Sequence, residues 1–466
     1  MNHRPSATAK WDVEWKRRLG SGHWVTPPRL FGGSFALLIV LGTLGLKWLP
    51  GLYISEELNW LDATFTATSA VCVTGLIVVD TATYFTLAGQ AWILLLIQLG
   101  GLGMIAFSSI IIVALGRRLS LKQEALTSEV HLAAPHVDMR RLTLNVLGFT
   151  LGFEAVGAAC LYVLWFEQLG WTGALWPAIF HSVSAFCNAG FSTFSDNLIG
   201  FQSSPATLAV IGSLIVTGGL GFLTLEELNM LRHERGQGRT VRLSLHSRIV
   251  LSATAVLIVA GWMLFAAFEV EHTLAPLSRS DQAVNSLFMS VTARTAGFAS
   301  IDYAEASDSA NLLTIILMTI GGSPGSTAGG VKTTTFALIG LIAWARLRGF
   351  QTTTFASRSI RKETTERAVG LFVIAFGVMT TGMLLLTATE GQDGRFLERL
   401  FEVASGFNTV GLSMGETAML SRSGRTLMIA LMFLGRVGLL TMAAALAVRQ
   451  LGRNRFRYAY EEVVVG

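Results

Sequence analysis

Four glycines constrain this chain more than any other feature. Gly75, Gly190, Gly297 and Gly411 each close a run of small or polar residues and precede a large apolar one: SAVCVTGL at Ser69–Leu76, SAFCNAGF at Ser184–Phe191, VTARTAGF at Val291–Phe298 and SGFNTVGL at Ser405–Leu412. The motif recurs every ~110 residues, which predicts four tandem units of similar length. Glycine reaches backbone conformations closed to other residues, so each segment is able to turn its carbonyl oxygens toward a shared axis. A ring of such oxygens is the chemistry of a cation filter. The candidate filter residues are Val73, Thr74 and Gly75; Asn188, Ala189 and Gly190; Thr295, Ala296 and Gly297; and Thr409, Val410 and Gly411, with a cation held at the four glycines. Only the glycine is common to all four, so the fourfold part of such a filter is expected to be about one carbonyl layer deep.

The setting is a membrane. Hydrophobic residues make up 52% of the chain and charged residues only 14%, where a soluble domain carries nearer a quarter. A span needs about 20 mostly apolar residues. Eight runs qualify, near Leu30–Trp48, Leu87–Leu115, Leu142–Trp165, Ala206–Leu231, Ile249–Ala267, Asn311–Trp344, Ala368–Thr387 and Thr426–Val448. The glycine motifs fall between successive pairs. The stretches before them, Trp60–Val71, Ala174–Phe186, Asp281–Ala293 and Arg395–Phe407, are too short to cross. They read as half-helices that dip in and return as extended chain. An unsatisfied amide in lipid costs several kcal/mol, so such dips require a central aqueous path. The predicted fold is an all-α polytopic membrane protein: four helix–pore-loop–helix repeats, eight transmembrane helices and four re-entrant half-helices around a pore. The repeats are expected at 29–116, 117–235, 236–348 and 349–448, between an interfacial segment 1–28 and a tail 449–466.

Charge fixes the orientation. Most of the 35 lysines and arginines lie in the amino terminus, the even-numbered loops and the tail, so both termini are expected in the cytoplasm. The opposite side carries Glu56, Glu57, Asp62, Asp80, Asp196, Asp281, Asp302, Glu305, Asp308 and Glu416. They form either a vestibule that concentrates cations or an ordinary solvated loop surface. The basic amino terminus, with Trp11, Trp15 and Trp24, reads as an interfacial segment. Cys72, Cys160 and Cys187 suggest neither a disulfide framework nor a metal site.

A second recurrence lies in the later helix of each unit: GGLG at Gly100–Gly103, GGLG at Gly218–Gly221, GGSPG at Gly321–Gly325 and GRVG at Gly435–Gly438. These sites are expected at similar depth below the filter. The first two read as close packing of small residues. The third expands to GGSPGSTAGGVKTTT, which cannot continue a helix. Gly321, Gly322, Ser323, Pro324, Gly325, Ser326, Thr327, Ala328, Gly329, Gly330 and Lys332 are therefore candidate gate residues. The stretch fails a nucleotide-binding loop, with Val331 where that motif has lysine. At the same depth the fourth unit carries Arg436, either a gate that holds donors toward the loop or a structural ion partner. Lys332 either snorkels inward or neutralises loop carbonyls. Glu154 reads as a structural partner for a polar neighbour, and His181 as structural. Arg294 is expected behind the filter, paired with a carboxylate such as Glu402 or Asp302, because a pore-facing cation opposes conduction.

Together CVTGL, FCNAGF, RTAGF, FNTVGL, the GGSPGSTAGGVKTTT loop and the arginine of FLGRVG resemble the Trk/Ktr/HKT superfamily of potassium transporters, over about Leu30 to Gly466. Eight spans with no additional helix pair at the start, and the tail YAYEEVVVG, look more like the KtrB branch than TrkH. The resemblance implies filter glycines at Gly75, Gly190, Gly297 and Gly411. It implies potassium over sodium from glycine in the first filter, an intramembrane gate at Gly321–Lys332, and a gating arginine at Arg436. It also implies a homodimer in the cell (inner) membrane, with one pore per subunit, on a KtrA-like ring of cytoplasmic RCK subunits. Nucleotide is then expected on that partner and no cofactor in this chain. Sodium dependence occurs in the branch. A TrkH-type potassium transporter subunit, or a sodium-permeable or other monovalent cation channel of the same fold, is the alternative.

Other classes fit less well. An enzyme needs convergent acid, base or metal groups, and a voltage sensor needs arginine at every third position of a helix; the chain offers neither. The charge of +5 is a topology signature, and nucleic-acid binding is not expected.

Overall fold

The computed structural model describes residues 27–114, 139–236, 242–391 and 394–438. The amino-terminal segment, most of the basic loop after the second span, and the tail lie outside the described residues. In chain order the helices are α1 (Pro27–Trp48), α2 (Trp60–Val71), α3 (Thr81–Tyr84), α4 (Leu87–Ala114), α5 (Met139–Cys187), α6 (Pro205–Leu220), α7 (Phe222–Gly236), α8 (Leu245–Glu269), α9 (Arg279–Thr292), α10 (Asp308–Thr319), α11 (Thr333–Leu347), α12 (Lys362–Thr389), α13 (Phe396–Phe407) and α14 (Arg422–Phe433), followed by a π-turn at Leu434–Gly438.

Among the described residues, α1, α4, α5, α8 and α12 are long and apolar enough to cross a membrane, and α6 with α7 makes a sixth candidate if counted together. Their outward faces carry Leu37, Val40, Leu95, Val156, Val163, Val256, Met263, Val373 and Leu384, all well exposed. That much exposed apolar surface suits lipid and not water. The short helices differ. Phe65, Ala67 and Ala70 of α2 and Phe401, Val403 and Ala404 of α13 are wholly buried, so the long helices enclose the short ones.

Local chemistry places the helix starts. Asn59 accepts from the Asp62 amide at 2.9 Å to cap α2, and Ser278, Ser307 and Ser421 cap α9, α10 and α14 in the same way. Two of these caps are strapped to the preceding long helix. Glu269, which ends α8, accepts from the Ser307 amide at 2.9 Å and hydroxyl at 2.6 Å; Glu390, following α12, accepts from the Ser421 amide at 3.1 Å and hydroxyl at 2.6 Å. The same strap thus recurs in the third and fourth parts of the chain.

Four differences from the sequence expectation stand out. The stretch 206–231 is bent by 100° between α6 and α7, at Gly221 with φ 82°. The third-unit run 311–344 is two short helices, α10 and α11, on either side of an irregular segment. The third span and the second short helix are one continuous assignment, α5, turned only at Gly170 (φ 75°). A two-residue hairpin, β1 (Thr354–Phe355) with β2 (Arg358–Ser359), adds a trace of strand to the expected all-helical chain. The last predicted span leaves the described residues at Gly438.

Candidate functional site

Each short helix runs straight into a glycine segment with its carboxyl end foremost. The partial negative charge of that end favours a cation beyond it. The chain turns at the same point each time. The Thr74, Ala189 and Val410 amides reach back to the Ser69, Ser184 and Ser405 carbonyls at 2.7–2.8 Å, while Ala296 reaches Thr292 at 3.0 Å. Val73, Asn188, Thr295 and Thr409 then adopt left-handed backbone with φ 56°, 58°, 67° and 51°, and Gly75, Gly190, Gly297 and Gly411 follow at 94°, 70°, 80° and 99°. A left-handed β-branched residue costs about 1–3 kcal/mol and persists only where its surroundings enforce it. The conformation common to the four segments therefore extends beyond the glycine, deeper than the one shared residue predicts.

The segments meet in a closed cycle. A methyl group added at Gly75 would strike the Ala189 carbonyl oxygen; at Gly190, that of Ala296; at Gly297, that of Val410; and at Gly411, that of Thr74. Each glycine packs on the segment of the next, and the fourth returns to the first. Hydroxyls from the short helices brace this ring. Ser69 and Ser405 accept from the Gly75 and Gly411 amides at 3.1 and 3.0 Å, while Ser184 and Thr292 donate to the Phe191 and Phe298 carbonyls at 2.8 and 2.6 Å. Asn197, itself left-handed, donates to the Gly190 carbonyl at 3.4 Å and accepts from the Ala299 amide at 3.3 Å. Glu402 accepts from Ser413, and from Thr417 at 2.7 Å, tying the chain past Gly411 back to α13. The shared −6 or −5 hydroxyl was present in the motifs; nothing in the sequence pointed to Asn197.

The second glycine recurrence is where a later helix touches the end of a short one. Methyl groups at Gly100, Gly218 and Gly435 would strike the carbonyls of Val71, Phe186 and Phe407. The third unit breaks the pattern, since Gly321 lies instead against the Gly329 carbonyl of its own loop. This loop packs against the glycine segments: Gly329 abuts the Thr409 hydroxyl, Gly330 faces Asn408, and Thr327 Oγ1 donates to the Phe186 carbonyl at 3.1 Å. It also grips the bend between α6 and α7. The Ser323 and Thr327 amides donate to the Gly219 and Gly218 carbonyls at 2.9 and 3.3 Å, and the Phe222 amide donates to the Gly325 carbonyl at 3.0 Å. Gly218–Gly221 is thus a close-packing site, as expected, and also a helix break that receives the loop.

Arg436, buried in the π-turn, donates from Nη1 to the Thr327 carbonyl at 2.5 Å. Single π-turns within helices concentrate at functional sites. Lys332 Nζ donates to the Ala328 carbonyl of the same loop at 2.6 Å. Arg294 corrects an expectation. Its Nη2 donates to Thr333 Oγ1 at 3.1 Å and to the Gly321 carbonyl at 3.5 Å, on the loop and not on Glu402 or Asp302. The hydroxyl and the carbonyl engage Nη2 only, and Nε is buried without a hydrogen-bond partner. Glu154 accepts from Gln98 at 3.0 Å beside Cys187, and His181 lies between the Pro177 carbonyl (2.8 Å) and Ser192 (2.9 Å).

Four of the ten acidic residues expected on the outer side have side-chain partners elsewhere in the chain. Asp62 pairs with Arg425 at 2.6 Å, Glu416 with Arg395 at 2.7 Å and Glu57 with Lys47 at 3.4 Å. Asp80 caps α3 and accepts from Ser195 at 2.6 Å. Pairing of this kind reduces the field such residues project.

Known proteins share this sequence and this fold. The chain is 39% identical over 422 residues to the Ktr system potassium uptake protein B of Vibrio alginolyticus, covering 90% of this chain and 91% of that one. It is 37% identical to the protein of the same name from Bacillus subtilis, over 95% of this chain and 98% of that one. A potassium/sodium uptake protein, NtpJ of Enterococcus hirae, is 35% identical over the same shares of the two chains. The crystal structure of the potassium transporter TrkH from Vibrio parahaemolyticus superposes with a TM-score of 0.72 over 91% of this chain and 85% of that one, at 19% identity, a likeness of fold. Residues 37–454 match the TrkH family, described as cation transport protein. The chain belongs to that family of membrane cation transporters.

Proposed function

We propose that this chain is the potassium-translocating pore subunit of a bacterial uptake system. The observation that carries the reading is the closed cycle of four glycine segments, each at the carboxyl end of a buried short helix. Backbone carbonyls of Val73–Gly75, Asn188–Gly190, Thr295–Gly297 and Thr409–Gly411 replace the hydration shell of the ion. Beneath them the loop Gly321–Lys332, held by Arg436, closes the path. The four units then take the boundaries predicted from the sequence, with the helix dipoles of α2, the end of α5, α9 and α13 directed at the ion.

The names of the relatives support potassium as the ion. We place the protein in the cell (inner) membrane with both termini cytoplasmic, as a homodimer on a nucleotide-binding regulatory ring of the KtrA kind. The name of the Enterococcus hirae relative favours a second reading, in which sodium also permeates.

The test is isotope uptake into vesicles reconstituted with the purified chain, with potassium and sodium compared. Wild type is expected to pass potassium in preference to sodium, Gly75→Ser to lose that preference, and Arg436→Ala to pass more ion while keeping it. Equal flux of both ions through wild type supports the second reading. No flux above empty vesicles would overturn both.

A further inference from the structure

The loop Gly321–Lys332 is not held uniformly, and its fastenings divide into two sets. One set closes its base. Ile320 and Val331 form a parallel bridge, the Gly321 amide donates to the Val331 carbonyl at 2.9 Å, and the Thr333 amide donates to the Gly322 carbonyl at 3.0 Å. Thr333 Oγ1 donates to the Gly321 carbonyl at 2.6 Å. The entering and leaving strands of the loop are thereby joined into a neck. The other set holds the tip, and it comes from elsewhere in the chain: Gly218, Gly219 and Phe222 at the bend, Phe186 at the end of α5, and Arg436.

Arg294 belongs to the first set alone. The residue is 8% exposed, and Nη2 reaches both members of the neck, accepted by Thr333 Oγ1 at 3.1 Å and by the Gly321 carbonyl at 3.5 Å. The Gly321 carbonyl thus receives two donors, one for each lone pair. Arg294 also stands one residue before Thr295, the left-handed member of the third glycine segment. The same guanidinium therefore fixes the neck to the backbone that carries a filter glycine. Loss of this charged donor removes both bonds and leaves the Thr333 hydroxyl and the Gly321 carbonyl joined only to each other.

We propose that Arg294 is a positioning residue for the gate: it pins the neck of the loop to the third glycine segment, so that opening is confined to the tip, Ser323 to Gly330. This deepens the gate reading given above and rests on it. Arg436 and Arg294 then have opposite roles, one releasing and the other staying. The neck remains a fixed pivot, which keeps the third glycine segment undisturbed when the tip swings.

Thiol accessibility separates the two motions without relying on transport. In a Cys160→Ala parent, which removes the exposed cysteine and leaves the buried Cys72 and Cys187, a cysteine is placed at the tip (Ser326→Cys) or at the neck (Val331→Cys). Each protein is probed with a water-soluble maleimide. Adding Arg436→Ala is expected to raise the rate at Ser326→Cys at least tenfold and to leave Val331→Cys protected. Adding Arg294→Gln as well is expected to expose Val331→Cys by a similar factor. Arg294→Lys, which keeps the charge, is to be compared by the same measure and stands in if the glutamine variant is not recovered folded; it is expected to fall between the two. A neck that stays protected in both Arg294 variants overturns the proposal. So does loss of potassium preference in vesicles with neck protection unchanged, which would make Arg294 a brace of the filter. Failure of wild-type vesicles to transport would instead remove the gate reading and leave the thiol result standing as a statement about the loop.

Discussion

Arg436 donates to the Thr327 carbonyl at 2.5 Å across 109 residues of sequence, joining the π-turn after α14 to the tip of the third-unit loop. A charge-assisted hydrogen bond of this kind is worth about 1.5–3 kcal/mol. Its removal is expected to raise the released fraction of the loop roughly tenfold or more. Arg436→Ala should therefore increase the initial rate of potassium uptake in reconstituted vesicles, and Arg436→Lys should do so less. Discrimination against sodium should hold in both, since neither touches the glycine ring. Uptake equal to wild type in both variants would remove Arg436 from the gate.

Gly75 tolerates no side chain for two separate reasons. Its φ of 94° disfavours any other residue, and the Cβ direction is filled by the Ala189 carbonyl. Gly75→Ser is expected to displace that carbonyl and lower the potassium-to-sodium uptake ratio by tenfold or more. Gly152→Ala is the control, because a Cβ there meets nothing within 4 Å; it should transport as wild type does. Should Gly75→Ser keep the wild-type ratio, the first glycine segment has been assigned the wrong task.

The bend between α6 and α7 makes a third prediction. Gly221 has φ 82°, and a Cβ there would lie 2.8 Å from the Pro324 carbonyl. Gly221→Ala is expected to push the loop off the bend and weaken the hydrogen bonds that Ser323, Thr327 and Phe222 make across it. Faster uptake with unchanged ion preference is the expected signature, read by the same vesicle assay. A fall in both uptake and folded yield, restored by neither lower temperature nor lipid, would show that the bend is only architectural.

Much of this arrangement is legible in the sequence because it is written in local chemistry. The helix Trp60–Val71 begins at a capping Asn59 and ends at its glycine segment as the pattern predicts, and Arg395–Phe407 differs from α13 by its first residue only. Glycine and proline mark the loop after Ile320 as non-helical from the sequence alone. What depends on distant contacts was not legible. The 100° bend at Gly221 reads in sequence as ordinary small-residue packing, and only the loop that docks there, about 100 residues later in the chain, explains it. Left-handed backbone at Val73, Asn188, Thr295 and Thr409 has no shared residue to announce it, since surrounding packing and not side-chain identity enforces it. A pairwise argument about charge assigns Arg294 a carboxylate partner; its actual partners are a hydroxyl and a carbonyl that a neighbouring loop presents.

Asp62 and Arg425 close the molecule between its first and last short-helix regions. Asp62 Oδ1 accepts from Arg425 Nη1 at 2.6 Å, Asn59 Nδ2 donates to the other oxygen at 2.8 Å, and Arg425 Nη2 donates to the Ala418 carbonyl at 2.8 Å. The side chains are 11% and 21% exposed, so the pair is screened less than one on an open surface. Breaking it by removing one member leaves the other charge poorly solvated and costs about 1–3 kcal/mol. Asp62→Asn and Arg425→Gln are each expected to lower the melting temperature in detergent by several degrees. The double variant should lose less than the two changes added together, because the second substitution has no partner left to strand. High salt should narrow the difference from wild type only slightly. Strictly additive losses would mean that the two residues act separately, and that closure of the ring of segments rests on packing between α2 and α14.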